Sequence, residues 1–337
     1  MGDYMHEVDL SKYDLRTDLI IEKINNDNEV LEYEENNVKV SEVVLKKENL
    51  LNKKAGSYIT ISFNDVTDST NYDNVLKVFI KELKKMLEKE SIKDDYKTLI
   101  IGLGNIKATP DALGSKTIEN IIVTRHLYLL DDYDPKYRNV SAFSPGVMGE
   151  SGIETIDIVD GVIKKTKPDF LIVIDSLCAS NINRINKTIQ MTNTGIHPGS
   201  GIGNNRREIS KETIGIPVIA IGVPTVVDSI VIVNDTIEYL MKKISYIKDN
   251  MNNVVDKLKP IEKINYFNSE NNLTDNEKKE LLGTFGLLNE IDKKRLIYEV
   301  LSPINANMIV TVKEIDFIID KLSSLLAEGI NKSIHKI

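Results

Sequence analysis

The sequence predicts an α/β fold, a three-layer architecture in which a parallel-rich sheet carries helices on both faces and is elaborated by insertions. Short, uninterrupted apolar runs at Thr98-Leu99-Ile100-Ile101, Phe170-Leu171-Ile172-Val173-Ile174 and Pro217-Val218-Ile219-Ala220-Ile221-Gly222-Val223 read as strands with no polar face. Amphipathic stretches separate them. A strand that is apolar on both sides must be covered on both sides, which is what a parallel sheet between helix layers provides.

Taken in order, residues 1–18 are polar and mixed in charge, with Leu10, Tyr13 and Leu15 as apolar anchors. Asn25 to Asn37, rich in Asn and Glu, reads as a surface excursion. Ser57 to Phe63 alternates polar and apolar residues like a half-buried strand, and Asn74 to Glu90 has the apolar spacing of a helix. After the first apolar run, one amphipathic stretch covers Ala112 to Leu130 and another Ile153 to Lys165. Ser229 to Ile247 reads as a helix. Residues 250–290 are polar, with Thr274 and Glu277 spaced as a capping box, and helical patterns resume at Asp292–Leu301 and Val312–Ala327. No internal repeat is visible. The insertions, at about 22–56 and 250–290, read as parts of one elaborated domain.

Composition excludes several classes. With 41% hydrophobic and 28% charged residues over 337 positions, the chain can bury a sizeable core and is not globally disordered. A net charge of −8 argues against a protein built to grip nucleic-acid phosphates, and suits one that attracts basic peptides. Cys178 is the single cysteine, so no internal disulfide can form and a reducing, cytoplasmic setting is expected. No run approaches the roughly 18 apolar residues of a membrane span, and the acidic start, Met1-Gly2-Asp3-Tyr4-Met5-His6-Glu7, lacks the order of a secretory signal.

Ligands of open parallel sheets bind beyond the carboxyl ends of the strands. Two aspartates are placed there. In Gly102-Leu103-Gly104-Asn105-Ile106-Lys107-Ala108-Thr109-Pro110-Asp111 the glycines turn the chain off a strand, and Asp111 falls in the first turn of the next helix. Complementing the helix dipole is the plainer role for it. The Gly-x-Gly is not completed into a dinucleotide fingerprint. Asp175 directly follows the strongest apolar strand, where a carboxylate is costly unless paired or functional. Two carboxylates facing one cavity share a proton, so one can act as base toward water and the other as acid toward an amide.

Two glycine loops, Ser144-Pro145-Gly146-Val147-Met148-Gly149 and His197-Pro198-Gly199-Ser200-Gly201-Ile202-Gly203-Asn204, suit the gripping of an extended peptide, although such loops are often plain connectors. Arg206-Arg207-Glu208 follows the second, as a contact for acidic groups or as a solvated charge cluster. Of the histidines, His197 is the best functional candidate, as acid–base helper or ligand. His126, beside Arg125, reads as structural. Ser176, Ser200 and Cys178 stand outside nucleophile-elbow and papain-like contexts, and no His-Glu-x-x-His or Cys/His cluster is present.

Ordered along the chain, Thr109-Pro110-Asp111-Ala112-Leu113-Gly114, Thr124-Arg125-His126-Leu127, Pro145-Gly146-Val147-Met148-Gly149, Gly152-Ile153-Glu154-Thr155, Gly195-Ile196-His197-Pro198-Gly199-Ser200-Gly201 and Gly215-Ile216-Pro217-Val218-Ile219-Ala220-Ile221-Gly222 resemble segments of the spore germination protease family. Asp9-Leu10-Ser11-Lys12-Tyr13 and Arg16-Thr17-Asp18-Leu19 fit as well. The resemblance implies a cytoplasmic homotetrameric endopeptidase of the forespore and spore core. It would be made as a zymogen and would act on small acid-soluble spore proteins, with no cofactor and no nucleic-acid or membrane partner. It implies an atypical aspartic site at Asp111 and Asp175, supported by Asn105, Arg125, His126, Gly146, His197, Gly199 and Ser200. It also implies a propeptide of residues 1–18 removed by self-cleavage between Asp18 and Leu19, leaving 19–337 as one protease domain. A more distant similarity to hydrogenase-maturation proteases rests on Gly-x-Gly-Asn with an acid six positions later, as Asp111 follows Asn105. In those proteins the equivalent acids bind a metal ion. A metal-dependent peptidase using the same carboxylates is thus the alternative reading, and a noncatalytic peptide clamp is the other.

Overall fold

The computed structural model of the chain describes residues 17–24, 30–46, 53–199, 207–250, 272–304 and 306–337. They form two compact units, one comprising Asp228–Val310 and the other the rest of the described chain.

In chain order the larger unit contains β1 (Val30–Glu35), β2 (Val38–Leu45), β3 (Gly56–Ser62), α1 (Ser69–Lys89), β4 (Thr98–Gly102), α2 (Leu113–Glu119), α3 (Arg125–Leu129), β5 (Val140–Phe143), α4 (Met148–Ser151), α5 (Thr155–Thr166), β6 (Phe170–Ala179), β7 (Thr188–Thr192), α6 (Lys211–Ile214) and β8 (Val218–Asp228). The smaller unit follows with α7 (Ser229–Asn250), α8 (Asp275–Leu282) and α9 (Glu290–Leu301), and α10 (Ile315–Ile334) returns to the larger one. The strands of the larger unit lie side by side in the order β1-β2-β3-β7-β8-β6-β4-β5.

The apolar runs seen in the sequence form the parallel half of this sheet. β4 pairs in parallel with β5 and with β6, and β6 pairs in parallel with β8. The other half is antiparallel: β7 against β8, β3 against β7, then β2 and β1. Alternate residues of the strands serve two cores. Ile100, Ile172, Ile174, Ile189, Met191, Ile219 and Ile221 pack with α1, α2 and α10 on one face. Leu99, Ile101, Leu171, Val173 and Val218 pack with Ile156 and Val159 of α5 on the other. Each such fully buried aliphatic side chain contributes about 1.5–3 kcal/mol relative to exposure. At the β2–β3 end, the second face is covered by the N-terminal segment, with Ile20 packed against Val43 and Tyr58.

Local signals explain several boundaries. Asp68 caps α1 by accepting the Asn71 N–H at 3.0 Å. Thr274 and Glu277 form the capping box of α8, the Glu277 carboxylate taking the Thr274 N–H at 2.8 Å.

Three expectations differ from the structure. The stretch Ala112–Leu130 is not one helix but two, α2 and α3, entered through a 3-10 turn at Thr109–Asp111. The break is held by Thr124, whose N–H reaches the Val140 carbonyl at 3.0 Å and whose hydroxyl accepts the Val140 N–H at 2.9 Å. Within the span Asn25–Asn37, Val30–Glu35 is an edge strand hairpinned to β2 through Asn36 and Asn37, both at positive φ (54° and 61°). The strand before Asp175 does not end there: β6 runs on to Ala179, and Asp175 lies inside it opposite Gly222.

Candidate active site

One aspartate lies in the turn that follows β4 and the other within β6, and these two strands are adjacent and parallel. β4 ends at Gly102, paired with Ile174, and the Leu103 N–H extends the ladder to the Ile174 carbonyl at 2.8 Å. Asp175 is the next residue of β6 and only 5% exposed. The chain leaving β4 turns back over this end. Gly104 makes the turn possible, with φ +99° and a backbone so close to Asp111 that a Cβ would lie 1.9 Å from its carbonyl oxygen. The Asn105 N–H then donates to Asp111 Oδ2 at 2.8 Å, fixing the carboxylate at the head of the turn. From the neighbouring strand β8, the Thr225 hydroxyl donates to the Pro110 carbonyl at 2.6 Å. Helix α2 starts directly on the strands, for a Cβ on Gly114 would sit 2.5 Å from the Ile174 carbonyl. The 109–111 turn packs against β6, so Asp111 and Asp175 occupy the same carboxyl edge. Asp175 Oδ1 accepts the Ser176 N–H at 2.9 Å.

The proposed supporting residues divide by position. Asn105 binds Asp111 as described. Gly146, at φ +70°, lies in the loop leaving β5 at this same edge. The short helix α4 that follows this loop is joined to the Asp111 loop by Lys107 Nζ, 2.9 Å from Glu150 Oε1. Arg125 and exposed His126 lie on α3, which begins beside Thr124 and therefore next to the first residue of β5, at the opposite edge of the parallel strands. His197 is exposed, with Nε2 3.1 Å from the Glu208 carboxylate. Glu208 also takes Lys54 and the Ser210 hydroxyl, the latter at 2.8 Å. Burial would raise the Glu208 pKa, but these partners bring it below the ordinary carboxylate range. Gly199 is in the left-handed region at φ +71°, and Ser200 lies outside the described residues. The Arg207 guanidinium is taken up by Glu154, at 3.0 Å, and Asp157. Among the described residues, no three His, Cys, Asp or Glu side chains gather into a group that could hold a metal ion.

The Asp18–Leu19 junction is docked on this sheet, while residues 1–16 lie outside the described chain. The Asp18 N–H donates to the Cys178 carbonyl at 3.0 Å and its carboxylate accepts the Cys178 N–H at 2.8 Å, three residues beyond Asp175 on β6. Leu19 is fully buried. Glu22 anchors the next turn by accepting the Ser180 N–H at 2.7 Å and its hydroxyl at 2.8 Å. Sequence reasoning missed Gln190 and Lys53, both bonded to the Asp18 carbonyl, at 3.0 and 2.9 Å. Neither stands in a motif. The only signal was a glutamine within an otherwise apolar and Thr-rich run, Thr188-Ile189-Gln190-Met191-Thr192.

An α/β sheet bearing two carboxylates at its carboxyl edge, with a segment of its own chain docked further along the strand that carries one of them, has the makings of a peptide-bond hydrolase. The profile of the germination protease family matches residues 12–337. The germination protease of Geobacillus sp. (strain WCH70) is 42% identical over 356 residues, covering 98% of this chain and 96% of that one. That of Bacillus pumilus (strain SAFR-032) is 43% identical over 355 residues, with the same coverage of 98% and 96%. Among solved structures, the [NiFe] hydrogenase maturation protease HycI from Thermococcus kodakarensis KOD1 is similar over 43% of this chain and 80% of its own, at 19% identity and a TM-score of 0.28. The chain belongs to the germination protease family and is a peptidase.

Proposed function

We propose that the chain is the zymogen of an endopeptidase that starts the degradation of small acid-soluble spore proteins at germination, acting in the spore core as a homotetramer. Asp111 and Asp175 are its acid–base pair, and residues 1–18 are a propeptide that the enzyme removes from itself at Asp18–Leu19. The observation that carries this reading is the convergence of three things: a carboxylate following β4, a carboxylate within β6, and the Asp18–Leu19 peptide docked on β6 just beyond the second. Membership of the family supports the substrate class.

In this reading the two carboxylates face one cavity closely enough that they do not ionise independently. The one that loses its proton first draws a proton from water, and the one that keeps its proton delivers it to the departing amide nitrogen. Partial burial strengthens the preference for a single shared proton, since two charges in a poorly solvated site repel strongly. No helix among the described residues is long and apolar enough to cross a membrane.

The test is to hold purified full-length chain at mildly acidic pH and follow it by mass spectrometry, alone and with a small acid-soluble spore protein. The expected result is a product beginning at Leu19 and cleavage of the added protein. A chain that stays intact and leaves the added protein whole would overturn the reading.

A further inference from the structure

We propose that Gln190 and Lys53 are the groups that hold and polarise the carbonyl of the peptide bond to be cut, using the docked Asp18–Leu19 bond as their first substrate. This inference rests on the reading that this bond is the one the enzyme cleaves in itself. It adds the residues that receive the developing negative charge.

The geometry is specific. Gln190 Nε2 donates to the Asp18 carbonyl oxygen at 3.0 Å, and Lys53 Nζ donates to the same oxygen at 2.9 Å. A single peptide oxygen thus takes an amide donor and an ammonium donor at distances typical of sites that stabilise an oxyanion. Gln190 is 6% exposed, and its Oε1 accepts the Ile20 N–H at 2.6 Å, which orients the amide and leaves its N–H₂ facing Asp18. Gln190 is also in register with Gly222, and Gly222 with Asp175, so Gln190 and Asp175 project from the same face of the sheet. Between them Gly222 has no side chain, and Leu177 covers it closely: a Cβ there would meet Leu177 at 2.5 Å. Burial pushes the Lys53 pKa down, opposed by the nearby Asp18 charge. A poorly hydrated ammonium of this kind interacts more strongly with an oxyanion than a solvated one would.

In the reaction, the oxygen of water bonds to the Asp18 carbonyl carbon and the carbonyl electron pair moves onto oxygen, where Gln190 and Lys53 hold it. On collapse the C–N bond breaks, its electron pair and a proton go to the Leu19 nitrogen, and Asp18 is left with a free α-carboxyl group. The atoms of water are divided between the two products. Nothing beyond hydrolysis is required.

The obvious competing role is anchorage of residues 17–20, and substitutions separate the two. Gln190→Glu keeps an acceptor for the Ile20 N–H but removes the donor to Asp18. Gln190→Met removes both. Lys53→Met removes the second donor, and Lys53→Arg preserves one. In full-length chain, Gln190→Glu, Gln190→Met and Lys53→Met are each expected to slow formation of the Leu19 product by roughly 100-fold, the usual cost of losing one such donor. Lys53→Arg is expected to recover most of the rate. Hydrogen exchange should show the Ile20 amide as protected in Gln190→Glu as in the unsubstituted chain, so that the lost rate is not lost docking. Normal processing by both Gln190→Glu and Lys53→Met would overturn the proposal. So would slow processing in Gln190→Met alone, which would mark Gln190 as an anchor. If the unsubstituted chain produces no Leu19 product, the self-cleavage reading falls and this inference with it. Processing that needs Asp111 but ignores Gln190 and Lys53 would leave that reading standing and remove only this one.

Discussion

Asp18 and Cys178 exchange two hydrogen bonds, one from the Asp18 N–H to the Cys178 carbonyl and one from the Cys178 N–H to the Asp18 carboxylate, at 3.0 and 2.8 Å. An acidic side chain before the proposed scissile bond is therefore read by the main chain of β6 itself. Asp18→Ala leaves the Cys178 N–H without that partner, at a cost of about 1–3 kcal/mol to docking. The expected outcome is faster exchange of the Cys178 amide and processing slowed by roughly tenfold or more. Asp18→Asn, which keeps an oxygen acceptor, should fall between. Unchanged exchange in Asp18→Ala would show that the contact does not hold the junction.

Gly104 sets the position of Asp111. At φ +99°, and with a Cβ that would lie 1.9 Å from the Asp111 carbonyl oxygen, no other residue fits without moving the turn. Gly104→Ala is expected to cost about 1–3 kcal/mol in stability, visible as a lower Tm. Activity should fall far more steeply than folding, because the displaced group is a carboxylate of the proposed pair. Proportionate loss of both would count against a positioning role.

His335 makes part of the fold's stability depend on pH. It is 4% exposed, its Nδ1 accepts the Arg138 N–H at 3.0 Å, and its Nε2 lies 3.4 Å from the Ile122 carbonyl. Burial pushes its pKa below the ordinary 6.5; the Ile122 carbonyl works against this and the nearby Arg138 charge adds to it. The unfolded chain thus binds the proton more readily than the folded one. The stabilisation is complete above pH 6.5 and is lost as pH falls below it toward the lower folded value. Urea midpoints are expected to drop between pH 7.5 and pH 5, and to drop less in His335→Gln. Equal slopes would assign the dependence to other groups.

The parallel core was legible because strands buried on both faces have no polar residues to confuse with anything else, and β4, β6 and β8 all begin within a residue of the apolar runs that announced them. The edge of the sheet was not. Leu31 is 70% exposed, and the Glu-rich strand around it faces solvent, so its composition is that of a loop and only its pairing with β2 makes it a strand. For the aspartates, the sequence pointed to one sheet edge through position alone, and the strand pairing puts both there. It could not separate Gly146 from Arg125 and His126, because which edge a loop occupies depends on pairings made far away in the chain. Gln190 and Lys53 were invisible for a related reason. Their shared target is a main-chain carbonyl of another segment, and no spacing records that.

Metal removal is expected to leave activity unchanged. His197 is engaged with Glu208, and among the described residues no group of three ligating side chains is assembled. Proteolysis of a small acid-soluble protein should proceed equally with and without a strong chelator. Loss of activity restored by one particular divalent ion would favour a water-activating cation held by the same carboxylates.

The most direct test of the central claim is the hydrolysis rate of Asp111→Asn and Asp175→Asn. Both replacements are nearly isosteric, so Tm should stay close to that of the unsubstituted chain, and each removes a group that gains or loses a proton in the proposed mechanism. Each variant is expected to lose at least roughly 100-fold in cleavage of a small acid-soluble spore protein and in its own processing at Asp18–Leu19. A folded variant of either kind that retains substantial activity would contradict the assignment.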